Sequence, residues 1–182
     1  IKAIVAYLSN KWGLKEDVTK PVRRFDGKDF NSIGNLRLWV DASQLPGNKG
    51  DKIQKIVSLS KRPNTLENMN NDQNQWPTIK VRKNGQKILN FRYFNNMTMS
   101  KNLRSEEFTL AFVTKQTGGV NRRFVIGNSN RLFGYWGGGK DQLHIDGWLT
   151  PAGNPPSNKE WDVYVISRNK ENKVWMYRNG VP

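Results

Sequence analysis

Few side chains in this sequence can carry covalent or metal chemistry. The chain has 182 residues, no cysteine and a single histidine, His144. Disulfides, thiolate metal sites and cysteine nucleophiles are therefore excluded, and so are a catalytic histidine pair and a multi-histidine metal site. The candidates that remain are aromatic and basic side chains.

Aromatic residues flank a run of glycines at 137–139 and indicate a sugar-binding surface. Sugar rings stack on exposed aromatic faces, with planar polar side chains close by. For Trp136 and Trp148, core packing is the alternative to sugar binding. The remaining tryptophans at β positions are interpreted as core residues: Trp39, Trp161 and Trp175. The predicted stacking residues are Tyr135, Trp136 and Trp148. The predicted polar contacts are Arg131, Asp141 and His144.

The basic residues outnumber the acidic ones two to one. Thirty Lys and Arg against fifteen Asp and Glu give a net charge of +15. Such an excess favours an acidic or polyanionic partner, although a dispersed solvated surface is the alternative. Nucleic acid is a less favoured partner, though not an excluded one, because no recognition motif is present. The predicted contacts are Lys80, Arg82, Lys83, Lys87, Arg122 and Arg123.

Short segments with β patterning dominate the chain after residue 35. Gly, Asn and Pro clusters separate them, and Asn84-Gly85 and Asn179-Gly180 are typical of hairpin turns. This pattern predicts an all-β fold, a two-sheet antiparallel jelly-roll sandwich, with residues 60–77 as a long exposed loop. The predicted strands are 36–41, 87–94, 108–115, 122–128, 131–136, 142–148, 161–168 and 173–178.

Alternation along these strands predicts which residues point into the core. One face of each strand should be apolar and buried between the two sheets. The predicted inward residues are Leu38, Phe108, Leu110, Phe112, Phe124, Ile126, Val163, Val165 and Trp175.

The first residues differ in pattern from the rest. Apolar residues over 1–12 recur at helical spacing, which predicts a short amphipathic helix that docks on a β surface. Residues 15–35 are charged and indicate a linker or arm. The chain begins with Ile and ends just after a predicted hairpin turn, so we expect a piece of a longer polypeptide. No apolar run approaches the ~20 residues that span a bilayer.

Two motifs together resemble one protein family. The segment "LRLWVDASQL" (36–45) resembles the opening strand of concanavalin A-like lectin/glucanase domains of the laminin-G-like type. The segment "IKAIVAYLSNKWGL" (1–14) resembles the helix that closes such domains, and 131–149 and 161–182 resemble their later strands. The resemblance therefore implies the closing helix of a preceding module at 1–14 and a C-terminally incomplete domain at 36–182.

Catalysis and calcium are the two further functions that this resemblance raises. Glucanases of the superfamily carry closely spaced carboxylates on one strand face, whereas Glu106 and Glu107 are adjacent and therefore point to opposite faces. We therefore predict no enzyme activity.

Laminin-G-like domains often bind calcium through loop oxygens, and the weak candidates here are Asp141, Asn128 and Asn130, for which a turn role is the alternative. No other cofactor is expected.

Members of the family occur in secreted multidomain proteins and in virion proteins of large DNA viruses. The resemblance, with the missing carboxylate pair and the high charge, predicts a non-catalytic interaction module. It would belong to a larger surface or capsid-associated structural protein, at the virion or the extracellular surface, and bind neighbouring subunits. A lectin-like module that recognises a surface glycan is the alternative.

Overall fold

The chain divides into two compact units in the computed structural model. We call Gly27–Arg104 the first β unit, and Ile1–Asp26 together with Ser105–Pro182 the second β unit. The residues that the structure describes are 8, 35–62, 64–92, 95–101, 107–117, 122–127, 131–136, 140–144, 148–149 and 160–181. For the four of these ranges that lie between 122 and 149, the structure describes the backbone but not the side chains.

The described strands of the first β unit are short and antiparallel. They form a three-stranded sheet in the order β1-β2-β5 and a separate hairpin, β3-β4. One 3-10 helix, Ala42–Gln44, precedes these strands, and another, Gln73–Gln75, lies between β2 and β3. The strands are β1 (Lys55–Val57), β2 (Thr65–Glu67), β3 (Thr78–Val81), β4 (Lys87–Asn90) and β5 (Thr98–Met99).

One cluster of aliphatic side chains holds the first unit together. Its centre is formed by Leu45, Ile56 and Ile79, all buried. Ile79 lies directly opposite Leu89 in the β3–β4 ladder, and Ile56 opposite Leu66 in the β1–β2 ladder, so cross-strand pairs fill the cluster. Further partly buried side chains complete it: Val40, Ala42, Ile53 and Met97.

The second β unit contains two described sheets, and all of their strand pairs are antiparallel. One sheet has the order β10-β9-β8-β7 and the other the order β12-β11-β6. The strands are β6 (Phe108–Lys115), β7 (Arg122–Gly127), β8 (Arg131–Trp136), β9 (Lys140–His144), β10 (Trp148–Leu149), β11 (Trp161–Arg168) and β12 (Val174–Arg178).

Strand β11 lies between β6 and β12 and is buried on both faces. Val163 and Val165 occupy one face, and Tyr164 and Ile166 the other, all at most 1% exposed. The Tyr164 ring stacks on Phe112, its cross-strand neighbour, at 5.6 Å between centroids. Side chains from the flanking strands pack around Tyr164 and Ile166: Phe108, Leu110, Phe112, Val174 and Met176.

The predicted inward residues are only partly correct. Val163 and Val165 are confirmed as buried, but Phe108, Leu110 and Phe112 pack on the opposite face of the same sheet. Leu38 is half-buried, and the side chains of Phe124 and Ile126 lie outside the described part of the structure.

The prediction that Trp175 points into the core is wrong. Trp175 is 40% exposed, because it lies beside Ser167 in the ladder and Ser167 in turn lies beside the exposed Thr109. This row of the sheet therefore offers small hydroxyl side chains rather than an apolar surface for the indole to pack against.

The predicted strand at 36–41 forms no ladder. The Trp39 N–H donates to Ser58 Oγ at 2.9 Å, and Trp39 O accepts from the Leu59 N–H at 2.8 Å. Asp41 then caps the first 3-10 helix, since its carboxylate accepts from the Ser43 N–H at 3.0 Å. A serine hydroxyl thus replaces the carbonyl that a partner strand would supply.

The segment 60–77, predicted as an exposed loop, contains β2 and the second 3-10 helix. Buried asparagine amides order it. Asn68 Nδ2 donates to the carbonyls of Gln75 and Asn96, at 2.8 Å each, while Asn68 Oδ1 accepts from the Asn70 N–H at 2.8 Å. The amide satisfies backbone groups that no strand pairs, which is why a polar segment folds inward here.

Two other predictions fall mostly outside the described residues. Of the helix 1–12, the structure describes Leu8, which has a helical backbone and is 6% exposed. Of the linker 15–35, it describes Asn35. The all-β class is confirmed for the described part of the chain, whereas the jelly-roll arrangement and the N-terminal helix stay predictions.

We predict that the two neighbouring residues Ile56 and Val57 differ sharply in their contribution to stability. Ile56 is 2% exposed and Val57 66%. Ile56→Ala should lower the free energy of unfolding by about 2–5 kcal/mol, because it leaves a cavity. Val57→Ala should cost less than about 1 kcal/mol. Urea denaturation measures both, and equal costs would contradict the assignment of the core.

Candidate functional site

The predicted sugar contacts lie on three adjacent strands, of which the structure describes the backbone. In the ladders, Tyr135 is opposite Asp141, and His144 is opposite Trp148. Opposed residues share a face of a sheet, and successive residues alternate.

The six predicted contacts therefore divide by backbone position into two sets. Arg131, Tyr135 and Asp141 belong to one face, and Trp136, His144 and Trp148 to the other. A binding site on a single face of this sheet contains one set and not both.

The calcium candidates are not brought together by the described structure. Asp141 is a residue of β9, whereas Asn128 and Asn130 lie outside the described residues. Within the part of the chain that the structure describes, no three His, Asp or Glu residues group as metal ligands. Calcium binding stays a prediction.

The predicted basic residues of the first unit lie on the β3–β4 hairpin. The three-residue loop 83–85 is closed by two hydrogen bonds, from the Gly85 N–H to Arg82 O at 2.9 Å and from the Arg82 N–H to Gln86 O at 2.8 Å. Gly85 has a φ of +82°, a conformation in which glycine is favoured after a tight turn. The predicted turn at Asn84-Gly85 is confirmed.

The four basic side chains of this hairpin have different surroundings. Lys80 and Lys83 are exposed. Lys87 is half-buried, and its ammonium donates to Leu45 O at 2.8 Å, which ties β4 to the end of the first 3-10 helix. Arg82 donates to Gln86 Oε1 at 2.9 Å. Lys80 and Lys83 are therefore the cations that the hairpin offers to a partner, while Lys87 also has a structural role.

A further cation, Lys52, adjoins the hairpin. Lys52 bridges to Thr78 at the edge of β3 that faces away from β4, so it shares a face with Thr78 and with Lys80, two residues along. Ile79, between them, is fully buried, which turns this face away from the core. We call Lys52, Lys80 and Lys83 the basic hairpin surface. Sequence inspection missed Lys52, because only strand pairing brings residues so far apart together.

Cations outnumber carboxylates in the described part of the first unit. Residues 35–101 contain twelve Lys or Arg and four Asp or Glu. Three of the acids bond to nearby backbone N–H groups: Asp41 to Ser43, Asp51 to Asn48 and Asp72 to Asn74.

Glu67 is the acid of this unit that forms a described ion pair. It meets Lys55 at 2.9 Å across the β1–β2 ladder. The hydrogen bond from Lys55 lowers the pKa of Glu67, so the pair persists when the pH falls somewhat below the usual range of a glutamate. The positive charge of the basic hairpin surface has no comparable carboxylate partner among the described ion pairs.

Arg122 and Arg123, the other predicted polyanion contacts, belong to the second unit. In the β7–β8 ladder they lie opposite Tyr135 and Gly134. A register shift follows between Arg123 and Val125, as a β-bulge produces. Their side chains lie outside the described part of the structure.

One end of the β6–β11–β12 sheet, on the face that also carries the buried Val163 and Val165, exposes an aromatic side chain beside hydroxyl groups. Trp175, Ser167 and Thr109 form one row across the sheet, and the two hydroxyl oxygens are 3.0 Å apart. Tyr177 lies two residues from Trp175 on the same face of β12 and is half-buried. We call Trp175, Tyr177, Thr109 and Ser167 the aromatic–hydroxyl face. An exposed indole beside hydroxyl groups is a surface that can stack on a sugar ring.

A buried ion pair orders the end of β12 below this face. Asp162 is 1% exposed, and its carboxylate accepts from Arg178 Nη2 at 2.8 Å and from Asn179 Nδ2 at 2.7 Å. The Arg178 guanidinium also lies 5.9 Å from the centroid of the Tyr164 ring.

The hairpin turn that follows β12 is confirmed by backbone geometry. Asn179 and Gly180 both have positive φ, at 52° and 85°, and Arg178 bridges to Val181. Positive φ at both central residues is typical of a type I′ turn, in which Asn-Gly is favoured.

Comparisons with protein-family models, with curated proteins and with solved structures find no match to this chain. Among the described residues, no helix has the length and apolar character needed to cross a bilayer. The laminin-G-like resemblance is therefore a prediction from the motifs quoted above.

We predict that Asp162 is essential to the stability of the second unit. Asp162→Ala leaves the Arg178 guanidinium and the Asn179 amide without their buried acceptor, which should lower the free energy of unfolding by about 3–5 kcal/mol. Glu171→Ala, an exposed change in the β11–β12 loop, is the control and should cost under about 0.5 kcal/mol. Chemical denaturation decides, and equal losses would show that the buried pair is dispensable.

Proposed function

We propose that this chain is a non-catalytic β-sandwich interaction module that docks an acidic partner subunit through the basic hairpin surface. Such a module would belong to a larger surface or virion structural protein, as the laminin-G-like resemblance implies. The observation that carries the proposal is the position of Lys52, Lys80 and Lys83 around one hairpin whose other face is anchored by the fully buried Ile79.

The argument from charge has two parts. Complementary charges steer a partner toward the surface and fix its register. The hairpin is also a well-anchored platform, because Ile79 and Leu89 hold it to the core and Lys87 ties it to Leu45. Lys80, on the well-anchored strand β3, loses less conformational freedom on binding than a cation on a mobile loop, so more of its electrostatic attraction appears as affinity.

Charge reversal tests this proposal. Lys80→Glu with Lys83→Glu should release the protein from its native assembly at lower salt than the parent chain. The matched control reverses Lys170 and Lys173, which are exposed in the β11–β12 loop of the other unit. Both variants change the net charge equally. The control also breaks the Lys170–Glu107 pair, which at 3.9 Å and in solvent contributes little, so a contact at the hairpin is what separates the two. The salt series is informative because the Debye length falls from about 10 Å at 0.1 M to about 3 Å at 1 M.

Two outcomes would contradict the proposal. One is release of both variants at the same salt concentration, which would indicate a non-specific effect of net charge. The other is a parent chain whose retention does not change with salt at all. Immobilised poly-glutamate and immobilised duplex DNA, compared side by side, identify the class of partner, and stronger retention on DNA would replace the acidic protein with nucleic acid.

The aromatic–hydroxyl face supports a second candidate function, recognition of a surface glycan. Trp175 is the exposed aromatic that a sugar ring could cover, and Thr109 is an exposed hydroxyl in the same row. This face differs from the sugar site predicted from the sequence, which centres on Trp136 and Trp148. A glycan array probed with variants of Trp175 and Trp136 separates the two sites.

We predict that Trp175→Ala weakens any glycan binding by about tenfold or more, the loss expected when a central aromatic contact is truncated. Phe91→Ala removes an exposed aromatic from the other unit and should leave the binding unchanged. Loss of binding in Trp136→Ala, with Trp175→Ala unaffected, would instead place the glycan on the β7–β10 sheet. Absence of glycan binding by the parent chain would exclude this second function.

A further inference from the structure

The dipeptide Asn-Gly occurs twice in this chain, at Asn84-Gly85 and at Asn179-Gly180, and each is a hairpin turn. Asn-Gly is also the dipeptide at which asparagine most readily reacts with its own backbone. Glycine has no side chain to hinder the approach of its amide nitrogen to the preceding side-chain carbonyl. The two copies have opposite surroundings, so the structure predicts opposite reactivity.

Asn179 is held by buried groups. Its Nδ2 donates to Asp162 Oδ1 at 2.7 Å, and its Oδ1 accepts from the Val163 N–H at 2.9 Å. Its backbone N–H also donates to Val163 O at 2.9 Å. Rotating the side chain toward Gly180 would break both side-chain bonds, and Asp162 Oδ1 would lose the donor that Asn179 supplies. A carboxylate at position 179 would then face the buried carboxylate of Asp162, which like charges disfavour.

Asn84 is exposed at the tip of the basic hairpin surface. Its two described side-chain hydrogen bonds both join it to Gln86 in the same turn, at 2.9 Å to Oε1 and 3.2 Å from the N–H. The N–H of Gln86 thus polarises the carbonyl that must be attacked. Gly85 has open space around its Cα. The bond from the Gly85 N–H to Arg82 O must open, which in an exposed loop costs little.

The local charge also favours reaction at Asn84. Arg82 and Lys83 precede it in the hairpin. Their positive charges stabilise the deprotonated amide nitrogen that attacks and the carboxylate that results. The contrast with Asn179, which contacts a buried carboxylate, is therefore electrostatic as well as steric.

We propose that Asn84 is a site of spontaneous deamidation and that Asn179 is protected from it by Asp162. The Gly85 nitrogen forms a bond to Asn84 Cγ, the Cγ–Nδ2 bond breaks, and the proton lost from the Gly85 nitrogen leaves with the amide as ammonia. Water then opens the cyclic imide at either carbonyl, to aspartate or to isoaspartate. The sum is one water consumed and one ammonia released, with no change of oxidation state.

The product carries a negative charge between Lys83 and Gly85. If the basic hairpin surface binds an acidic partner, deamidation of Asn84 weakens that contact. This consequence rests on the proposed function, whereas the modification itself does not.

Peptide mapping by mass spectrometry of the intact folded chain tests the site. The protein is incubated at mildly alkaline pH and 37 °C, and the aspartate and isoaspartate forms of the two peptides are quantified over time. Asn84 should convert at least about tenfold faster than Asn179, because protection by one hydrogen bond to a charged group corresponds to a factor of this order. In urea-unfolded protein the two rates should become similar, since the tertiary contacts are gone.

Equal rates in the folded chain would overturn the proposal. So would an Asn84 that is stable when folded but converts in urea. Asn84→Gln should abolish conversion in this hairpin and confirm the assignment of the peptide. Asp162→Asn, provided that its circular dichroism matches the parent, should accelerate conversion of Asn179, and an unchanged rate would show that Asp162 does not protect it.

A product mimic tests the consequence separately. Asn84→Asp should elute from immobilised poly-glutamate at lower salt than the parent, whereas Asn172→Asp, an exposed change in the β11–β12 loop, should not. Equal elution of the parent and Asn84→Asp would refute the effect on binding, while the two conversion rates would still decide the site of modification.

Discussion

The described structure depends on side chains that complete the hydrogen bonding which short strands leave open. In the first β unit, no described strand exceeds four residues, so many buried backbone groups have no ladder partner. Ser58 meets this need at Trp39, Asn68 at Gln75 and Asn96, and Asp41 at the first 3-10 helix. A buried backbone group without a partner is costly, and these polar side chains therefore stabilise the fold as the aliphatic cluster does.

This constraint also shapes the surface. Three of the four acids within residues 35–101 accept hydrogen bonds from backbone N–H groups, and twelve Lys or Arg outnumber these acids. In the second unit, by contrast, Asp162 is buried against the side chains of Arg178 and Asn179 and pairs with the cation. The charge excess is thus concentrated on exposed lysines. That distribution is the link between the way the chain folds and the acidic partner that we propose.

The two Asn-Gly turns show how far identical local sequence can diverge in context. Both dipeptides form tight turns, as their backbone preferences predict. One turn faces a buried carboxylate and the other projects from the basic hairpin surface, and neither environment can be recognised from the dipeptide or its neighbours. The chemistry of a turn residue therefore follows from what lies across the sheet, rather than from the turn itself.

The sequence by itself determined the all-β character, the turns and several strand positions. The segments 108–115 and 161–168 were predicted with the boundaries that the structure has, because alternation and turn residues are local signals. Only the tertiary structure decided which faces are covered. Alternation separates the two faces of β11 but does not tell that both are buried, nor that Trp175 is exposed. Likewise, the proximity of Lys52 to Lys80 and the bond from Lys87 to Leu45 arise from pairing between distant segments. Such contacts depend on long-range packing, which leaves no periodic trace in the sequence.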